Sequence, residues 1–185
     1  MIENEIMITY EIMQQQHIKY IALDTFNRTQ HTKRVKYVMY HDDLTLKSNE
    51  VYEKEDIFVD DWTLEQKRWI CQYLKHNDGT VIFAYDSNQV IGFCNIDHQV
   101  INSYVVMPYI HVSKPYRHQG IATQMFHMIC IEAIKIKGAK KLYISAHPNV
   151  DTYKFYMHVG CRLATQIIKE QYDKEPRDLQ LEKDL

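Results

Sequence analysis

Apolar and polar positions along this chain recur with periods near 2 and near 3.6 residues, and their succession predicts an order of strands and helices. EIMITY at 5–10 alternates as a short strand. From Gln14 to Phe26, the positions of Ile18, Ile21, Ala22, Thr25 and Phe26 share one face of a predicted helix. The pattern weakens over 27–61, where a basic cluster (Lys33, Arg34, Lys36) precedes YVMY and an acidic stretch follows with Glu50, Glu53, Glu55, Asp56, Asp60 and Asp61. Such a length without periodicity reads as a functional excursion, or as a helix and a strand whose limits the pattern does not give. Thr63 with Gln66 fits a capping box and opens a helix to His76, with Leu64, Trp69, Ile70, Tyr73 and Leu74 available to pack. VIFAY at 81–85 and VIGFCNI at 90–96 flank the polar turn Asp86-Ser87-Asn88-Gln89 and predict a hairpin.

A third strand is predicted over 104–112, with Pro108 inside it. Proline has no N–H to give to a ladder, so Pro108 requires a bulge or an unpaired edge at that point. Over 121–137, Ala122, Phe126, Ile129, Ala133 and Ile136 form one helical stripe, and Gly138 supplies a stop. KLYISAH at 141–147 reads as a buried strand, Pro148-Asn149 as a turn, 151–159 as a short helix ended by Gly160, and CRLATQII at 161–168 as a strand before a charged tail. Strand, long helix, strand implies a parallel pair across the crossover, and the hairpin before it implies antiparallel partners. The expected class is therefore a mixed α/β (α+β) fold. With no linker rich in Gly, Ser or Pro, residues 1–185 are expected to form one domain.

Composition narrows the function. The chain has 185 residues, 45% hydrophobic and 25% charged, with 5 glycines and 4 prolines, which excludes a disordered or collagenous polymer. Twenty-two Lys and Arg against 24 Asp and Glu leave a formal charge of -2, so no general attraction to nucleic acid is expected. No apolar run reaches the roughly 20 residues that a membrane crossing needs, and Glu3, Glu5 and Glu11 interrupt any leader-like run at the start. A soluble cytoplasmic protein without a membrane partner is the expectation. Cys71, Cys94, Cys130 and Cys161 lack metal-knuckle spacing and read as reduced, mostly buried thiols. His147 and His158 have no third ligand at metal spacing, so no metal is expected.

The chemistry concentrates between Ile110 and Gly160. Arg117-His118-Gln119-Gly120-Ile121-Ala122 sits between a strand and the long helix, whose first N–H groups have no internal partners. An ordinary strand-helix turn has this spacing. So does an anion cradle, in which Gly120 permits close approach and Ala122 keeps the first turn small. There is no Walker loop and no three-glycine dinucleotide fingerprint here.

IHVSKPYRHQGIA resembles the acetyl-CoA-binding signature of the GNAT superfamily of N-acetyltransferases, Arg/Gln-x-x-Gly-x-Gly/Ala after a strand, with Arg117, Gly120 and Ala122 in the constrained places. LYISAHPN followed by FYMHVGC is similar to the second half of that family, with Asn149, Phe155, Tyr156 and Gly160 in matching places. The resemblance implies a mostly antiparallel central sheet splayed between 104–112 and 141–147, flanked by helices, with pantetheine lying in the gap. It implies a bulge in the first of these strands, at Pro108 or nearer Ile110. It further implies acetyl-CoA as co-substrate, its pyrophosphate on the backbone N–H groups of Arg117, His118, Gln119, Gly120, Ile121, Ala122 and Thr123. Backbone groups of Ile110 and Val112 would pair with pantetheine, Asn149 would bind the same arm or cap a helix, and Tyr156 would be the general acid.

The chain departs from the family where many members carry a glutamate base, since 106–110 reads VMPYI. His111 and Asp97 are candidate bases, and an acceptor that arrives partly neutral needs none. A small-molecule or peptide amine is the expected acceptor, for a monomer or a homodimer. The acidic segment and the two tryptophans, Trp62 and Trp69, are alternatives for a pocket lining or for ordinary surface and helix anchoring. Binding of acetyl-CoA without turnover, as a sensor or structural partner, stays open because the glutamate is missing. The tail, with Pro176, Asp178, Leu181 and Glu182, resembles the end of an uncharacterised bacterial subgroup of the family and names no acceptor.

Overall fold

The computed structural model describes residues 7–185. The first strand, β1 (Ile8–Ile12), begins later than the pattern at 5–10 predicts, and the first two positions of that pattern lie outside the described residues. The helix expected over 14–26 is not formed. A 3-10 turn at Gln15–His17 is followed by successive i to i+3 turns, with Ala22, Asp24 and Phe26 donating to Lys19, Ile21 and Leu23. This path buries Ile18, Leu23 and Phe26 together, which outweighs a helical period that would have aimed Ile21 inward instead.

The weakly patterned stretch is a hairpin of two long strands, β2 (Gln30–Tyr37) and β3 (Tyr52–Asp60), antiparallel with a bulge between Thr32 and Arg34. It is thus not a helix and a strand but two paired strands. Its outer face stays wet, with Ile57 and Val59 exposed, so little apolar alternation is needed to form it. Helix α1 (Leu64–His76) carries the complete Thr63/Gln66 capping box and buries Ile70, Cys71 and Leu74. Leu64 and Trp69, expected to pack, are 47% and 60% exposed.

Strands β4 (Gly79–Asp86) and β5 (Gln89–Asp97) form the predicted hairpin, closed by Ser87 at φ 55°. After the two-residue β6 (Val100–Ile101), the predicted third strand divides. Its first part, β7 (Tyr104–Val106), pairs in parallel with β9 (Lys141–Ala146), while its second, β8 (Tyr109–Val112), pairs antiparallel with β5. Met107 N–H still donates to Tyr143 O at 2.9 Å, and Pro108, which has no N–H, marks the point where the two strands part. The sheets therefore order as β1-β4-β5-β8 and, with β10 (Arg162–Leu163) and β11 (Leu179–Asp184), as β10-β11-β9-β7-β6. This is the mixed, mostly antiparallel, splayed arrangement that the resemblance implied.

Helix α2 (Ile121–Ile134) crosses between β8 and β9 and ends three residues before the predicted limit. Its stripe of Ile121, Met125, Phe126, Ile129 and Ala133 joins Ile82, Cys94, Val105 and Leu142 in the main core. A second cluster on the other face of β4 and β5 gathers Leu23, Phe26, Leu74 and Phe93. Helix α3 (Val150–His158) follows β9.

The tail departs from expectation. Only Arg162 and Leu163 of the 161–168 segment are strand; α4 (Lys169–Lys174) follows, and the charged end returns as β11, inserted beside β9. Leu179, Gln180, Leu181 and Glu182 are all buried. The buried Glu182 is tolerated because Lys141 Nζ, Arg162 Nη2, the Tyr104 hydroxyl and Thr165 converge on it.

Candidate active site

The parting of β8 from β9 leaves two strand edges without partners, Tyr109–Val112 on one side and 144–146 on the other. Ser113 N–H donates to Ile91 O at 2.8 Å, which fixes the phase of the β5–β8 ladder. By the two-residue alternation, Tyr109 and His111 turn their backbone groups to β5, and Ile110 and Val112 turn theirs into the gap. One of these groups is occupied, because Val112 O accepts from Arg117 Nε at 3.0 Å.

The turn into α2 exposes donors. Gly120 is the N-cap at φ 79° with no side-chain cap bond, and His118 has φ 63°. Alternating left-handed and right-handed backbone turns successive N–H groups inward as an anion nest, beside the positive end of the helix. Among the described residues, no backbone or side-chain acceptor takes the N–H groups of 118–123. Arg117 N–H is partly engaged, at 3.4 Å from Lys114 O. The first turn of α2 contains no acidic residue. Gly92 seats this turn close to the sheet, since a Cβ there would lie 3.0 Å from Met125 and 3.3 Å from Ile121.

A cavity of about 320 Å³ joins the nest to the gap. Ile110, His111, Val112, Arg117, His118, Gly120, Ile121, Ala122, Thr123, Asn149 and Tyr156 all line it, so nearly every predicted site residue meets there. Gln119 does not; it is exposed, and its side chain donates to Pro115 O. Gln30, His31, Asp151 and Thr152 line it without having been singled out from sequence, and for β2 the only available signal was the weak pattern of a half-wet strand.

The side chain of Arg117 turns away from the nest and holds three carbonyls, those of Val112, Thr29 and Arg28, each at 3.0 Å. Asn149 is buried and caps α3: its Oδ1 accepts from Asp151 N–H at 2.7 Å, and its Nδ2 donates to Thr32 Oγ1 at 2.9 Å. Of the two roles read from sequence, the cap is present. Tyr156 is only 5% exposed, and burial pushes its phenol well above the ordinary value, so it stays a neutral phenol.

His111 projects to the face opposite α2, edge-on to Trp62 at 4.7 Å. Burial, then the charges of Arg28 and Arg117, hold its imidazole well below 6.5, so it is neutral at physiological pH. Arg28 is 6% exposed and lies over the Trp62 ring at 5.3 Å. Asp97 is not among the residues lining this cavity. It sits at the end of β5, held by the Tyr73 hydroxyl at 2.9 Å and Asn77 Nδ2 at 2.6 Å. Trp69 stacks on Tyr73 at the surface of α1, whereas Trp62 belongs to the aromatic cluster around His111.

Much of the acidic segment is paired: Glu53 with Arg34 and Lys36, Asp56 with Arg177, and Asp60 with His147. Cys161 is buried, its thiol pushed up to about 12, which is no setting for a nucleophile. No group of three His, Cys, Asp or Glu side chains that could hold a metal occurs among the described residues. No helix among them is long and apolar enough to cross a membrane.

Comparison with known proteins agrees with this geometry. The model of the acetyltransferase (GNAT) family matches residues 39–161, and the chain belongs to that family. Among solved structures, a nourseothricin acetyltransferase superposes with a TM-score of 0.67 at 16% identity, covering 96% of this chain and 98% of that one. A putative streptothricin acetyltransferase from Bacillus anthracis str. Ames, solved in complex with acetyl coenzyme A, gives 0.62 at 15% identity and 98% of both chains. An IAA acetyltransferase from Bacillus cereus ATCC 14579 gives 0.56 at 16% identity, covering 97% of this chain and 100% of that one. These likenesses establish the acyl-CoA N-acyltransferase fold. No curated protein matches the sequence.

Proposed function

We propose that this protein transfers an acetyl group from acetyl-CoA to a primary amine by direct attack on the thioester. The observation that carries the reading is the meeting, in one cavity, of an unsatisfied amide nest, two parted strand edges and a buried tyrosine. The N–H groups of 118–123 fit a pyrophosphate, because they are free and no carboxylate stands in the first turn. Ile110 and the N–H of Val112 fit an extended amide-bearing arm, as a third strand would. An N–H at the β8 edge that faces the thioester carbonyl would stabilise the oxygen charge that develops during attack. As the carbon–nitrogen bond forms and the carbon–sulfur bond breaks, the Tyr156 hydroxyl gives its proton to the leaving thiolate. The phenolate then recovers a proton from the new amide nitrogen, so the tyrosine ends as it began.

Asn149 acts here through its cap, holding α3 and hence Tyr156 at the gap. His111, neutral and weakly basic, is better suited to lining the acceptor side than to taking a proton from an ammonium. Non-catalytic binding is the rival reading, favoured by the lack of any carboxylate on β8. The two separate in one experiment. Acetyl-CoA binding is measured by calorimetry, and thiol release is then followed across a panel of amines. Binding with amine-dependent thiol release supports transfer; binding without release for any amine supports the sensor; no binding at millimolar acetyl-CoA rejects both.

A further inference from the structure

Arg28 stands apart among the six arginines of the chain. Arg34, Arg68, Arg162 and Arg177 pair with carboxylates, and Arg117 holds three carbonyls. Arg28 is the buried one, 6% exposed, and it forms no ion pair among the described residues. Its Nη1 donates to Gln30 Oε1 at 3.0 Å, but its Nε is buried without a partner, and Nη2 meets no acceptor among the described residues. Nε–H and Nη2–H are the parallel donors with which a planar guanidinium grips both oxygens of a carboxylate. Arg68 makes that grip in this same chain, with Nε to Asp24 Oδ1 at 3.2 Å and Nη2 to Oδ2 at 2.8 Å. In Arg28 the same edge is unpaired and largely out of water. Asp60 and Asp61 act on it only through space: Asp60 Oδ2 lies 2.7 Å from His147 Nε2, and Asp61 accepts from the Thr29 hydroxyl and the Trp62 N–H. A buried donor and a buried charge both cost stability when left unpaired, so this edge suits a ligand that brings the missing oxygens.

The contacts of Arg28 place it against the gap. Its carbonyl accepts from Arg117 Nη2 at 3.0 Å and its Nη1 bonds Gln30, and Arg117 and Gln30 both line the cavity that holds Tyr156. The Trp62 ring under its guanidinium meets His111 edge-on at 4.7 Å, and His111 lines the same cavity. Arg28 therefore stands one side chain behind the wall, on the face of the gap that His111 occupies. Helix α2 packs on the opposite face, which leaves the His111 side to the acceptor. On its other side Gln30 has one long bond, Nε2 to Thr152 Oγ1 at 3.3 Å, so its side chain can turn aside as a ligand enters. The charges that bear on His111 include those of Arg28 and Arg117, and this positive field draws in an anionic group.

We propose that the free Nε/Nη2 edge of Arg28 binds a carboxylate of the acceptor, so that the amine acetylated by this protein belongs to an amino acid. The inference rests on the acetyl-transfer reading above and names the acceptor class of that same site. One carboxylate oxygen accepts from Nε–H and the other from Nη2–H, while the Trp62 ring backs the plane of the guanidinium. Arg28 thereby sets specificity: it anchors the end of the acceptor that does not react and leaves the amine to reach the thioester carbonyl. An amide or a decarboxylated amine offers no pair of charged oxygens, and it leaves the buried cation unpaired as it binds.

The test measures thiol release with the common amino acids, their amides and their decarboxylated amines, in wild type, R28M and R28K, together with acetyl-CoA affinity and thermal melts. For the best acceptor, wild type is expected to prefer the acid over its amide and its decarboxylated amine by about 100-fold or more in kcat/KM. R28M should bring that ratio to within about threefold, chiefly by raising KM for the acid. R28K should recover little of it, because an ammonium lacks the parallel pair of donors. Acetyl-CoA affinity should stay within about twofold in both variants. R28M keeps most of the side-chain volume and removes an unpaired buried charge, so without ligand it should melt no lower than wild type. The preferred acid, added with CoA, should raise the melting temperature of wild type and leave that of R28M unchanged. Wild type that turns over amides or decarboxylated amines as well as the acids would overturn the carboxylate assignment and leave acetyl transfer standing. So would an acid preference that persists in R28M, or an R28M protein that melts well below wild type with the preference intact. Acetyl-CoA binding without thiol release for any amine removes the transfer reading, and this inference falls with it.

Discussion

Arg117 Nε donates to the carbonyl of Val112 at 3.0 Å, so the residue that opens the amide nest is tied to the end of the strand that borders the gap between β8 and β9. Its other two bonds, to Thr29 and Arg28, anchor the same turn to the segment leading into β2. The rigid geometry of a planar guanidinium, with donors in a fixed fork, is what lets one side chain hold three carbonyls.

R117A should therefore behave as a structural lesion of the site. Three part-buried carbonyls lose charged donors, for a stability loss of about 3 kcal/mol. The KM for acetyl-CoA should rise about tenfold or more as the nest loosens. R117K should recover little, because an ammonium cannot reproduce the fork. Thermal melts and acetyl-CoA titrations check both; a lysine variant equal to wild type would contradict the clamp.

Y156F should leave acetyl-CoA affinity within about twofold and lower kcat by about 10- to 100-fold, because general-acid assistance is lost while the ring packing against Phe126 and Phe155 is kept. Steady-state kinetics at saturating substrates read this directly. Unchanged kcat would remove the proton-donor role.

Two glycines should separate conformation from space. At Gly120 a Cβ meets nothing within 4 Å, but φ is 79°, so G120A should cost about 1–2 kcal/mol from left-handed strain and weaken acetyl-CoA binding. At Gly79 a Cβ would lie 2.2 Å from Ile96 O, a backbone atom that cannot step aside. G79A should be the more destabilising of the two, by at least about 2 kcal/mol, a gap that denaturant melts resolve.

Acid should weaken the fold in two stages. His111 is held well below 6.5, so the unfolded state binds the extra proton and stability falls as pH drops below that value. Glu182 is lowered from 4.5 to about 2: burial opposes its charge, but the Thr165 N–H, the Tyr104 hydroxyl and Lys141 outweigh it, and these bonds stabilise the protein above pH 4.5 and are lost as pH falls toward 2. H111N should flatten the first stage and E182Q the second, at a cost of about 3 kcal/mol at pH 7 for the latter. Melting temperature across pH 2–8 is the measurement.

The local elements with strong periodicity were legible in the sequence: α1 with its Thr63/Gln66 box, the β4–β5 hairpin and the apolar stripe of α2. So was a turn at Gly120, a local backbone requirement before a helix start, although its spacing fitted an ordinary strand-helix turn as well as an anion cradle. Pro108 announced a disruption, since a missing N–H is a property of one residue. What sequence left open depended on partners far along the chain. The turns at 18–26 form because Ile18, Leu23 and Phe26 find Phe93 and Leu74, not because their own spacing asks for turns. The β2–β3 hairpin buries too little to print a period. The charged tail becomes a central strand only because Lys141, Arg162 and Tyr104, scattered over the chain, converge on Glu182. The sequence by itself thus determined where backbone geometry is constrained and where a helix start leaves amides without internal partners. Only the tertiary structure decided which side chains share a face of the gap and removed Asp97 from the cavity, because burial and electrostatic proximity are set by packing between distant segments.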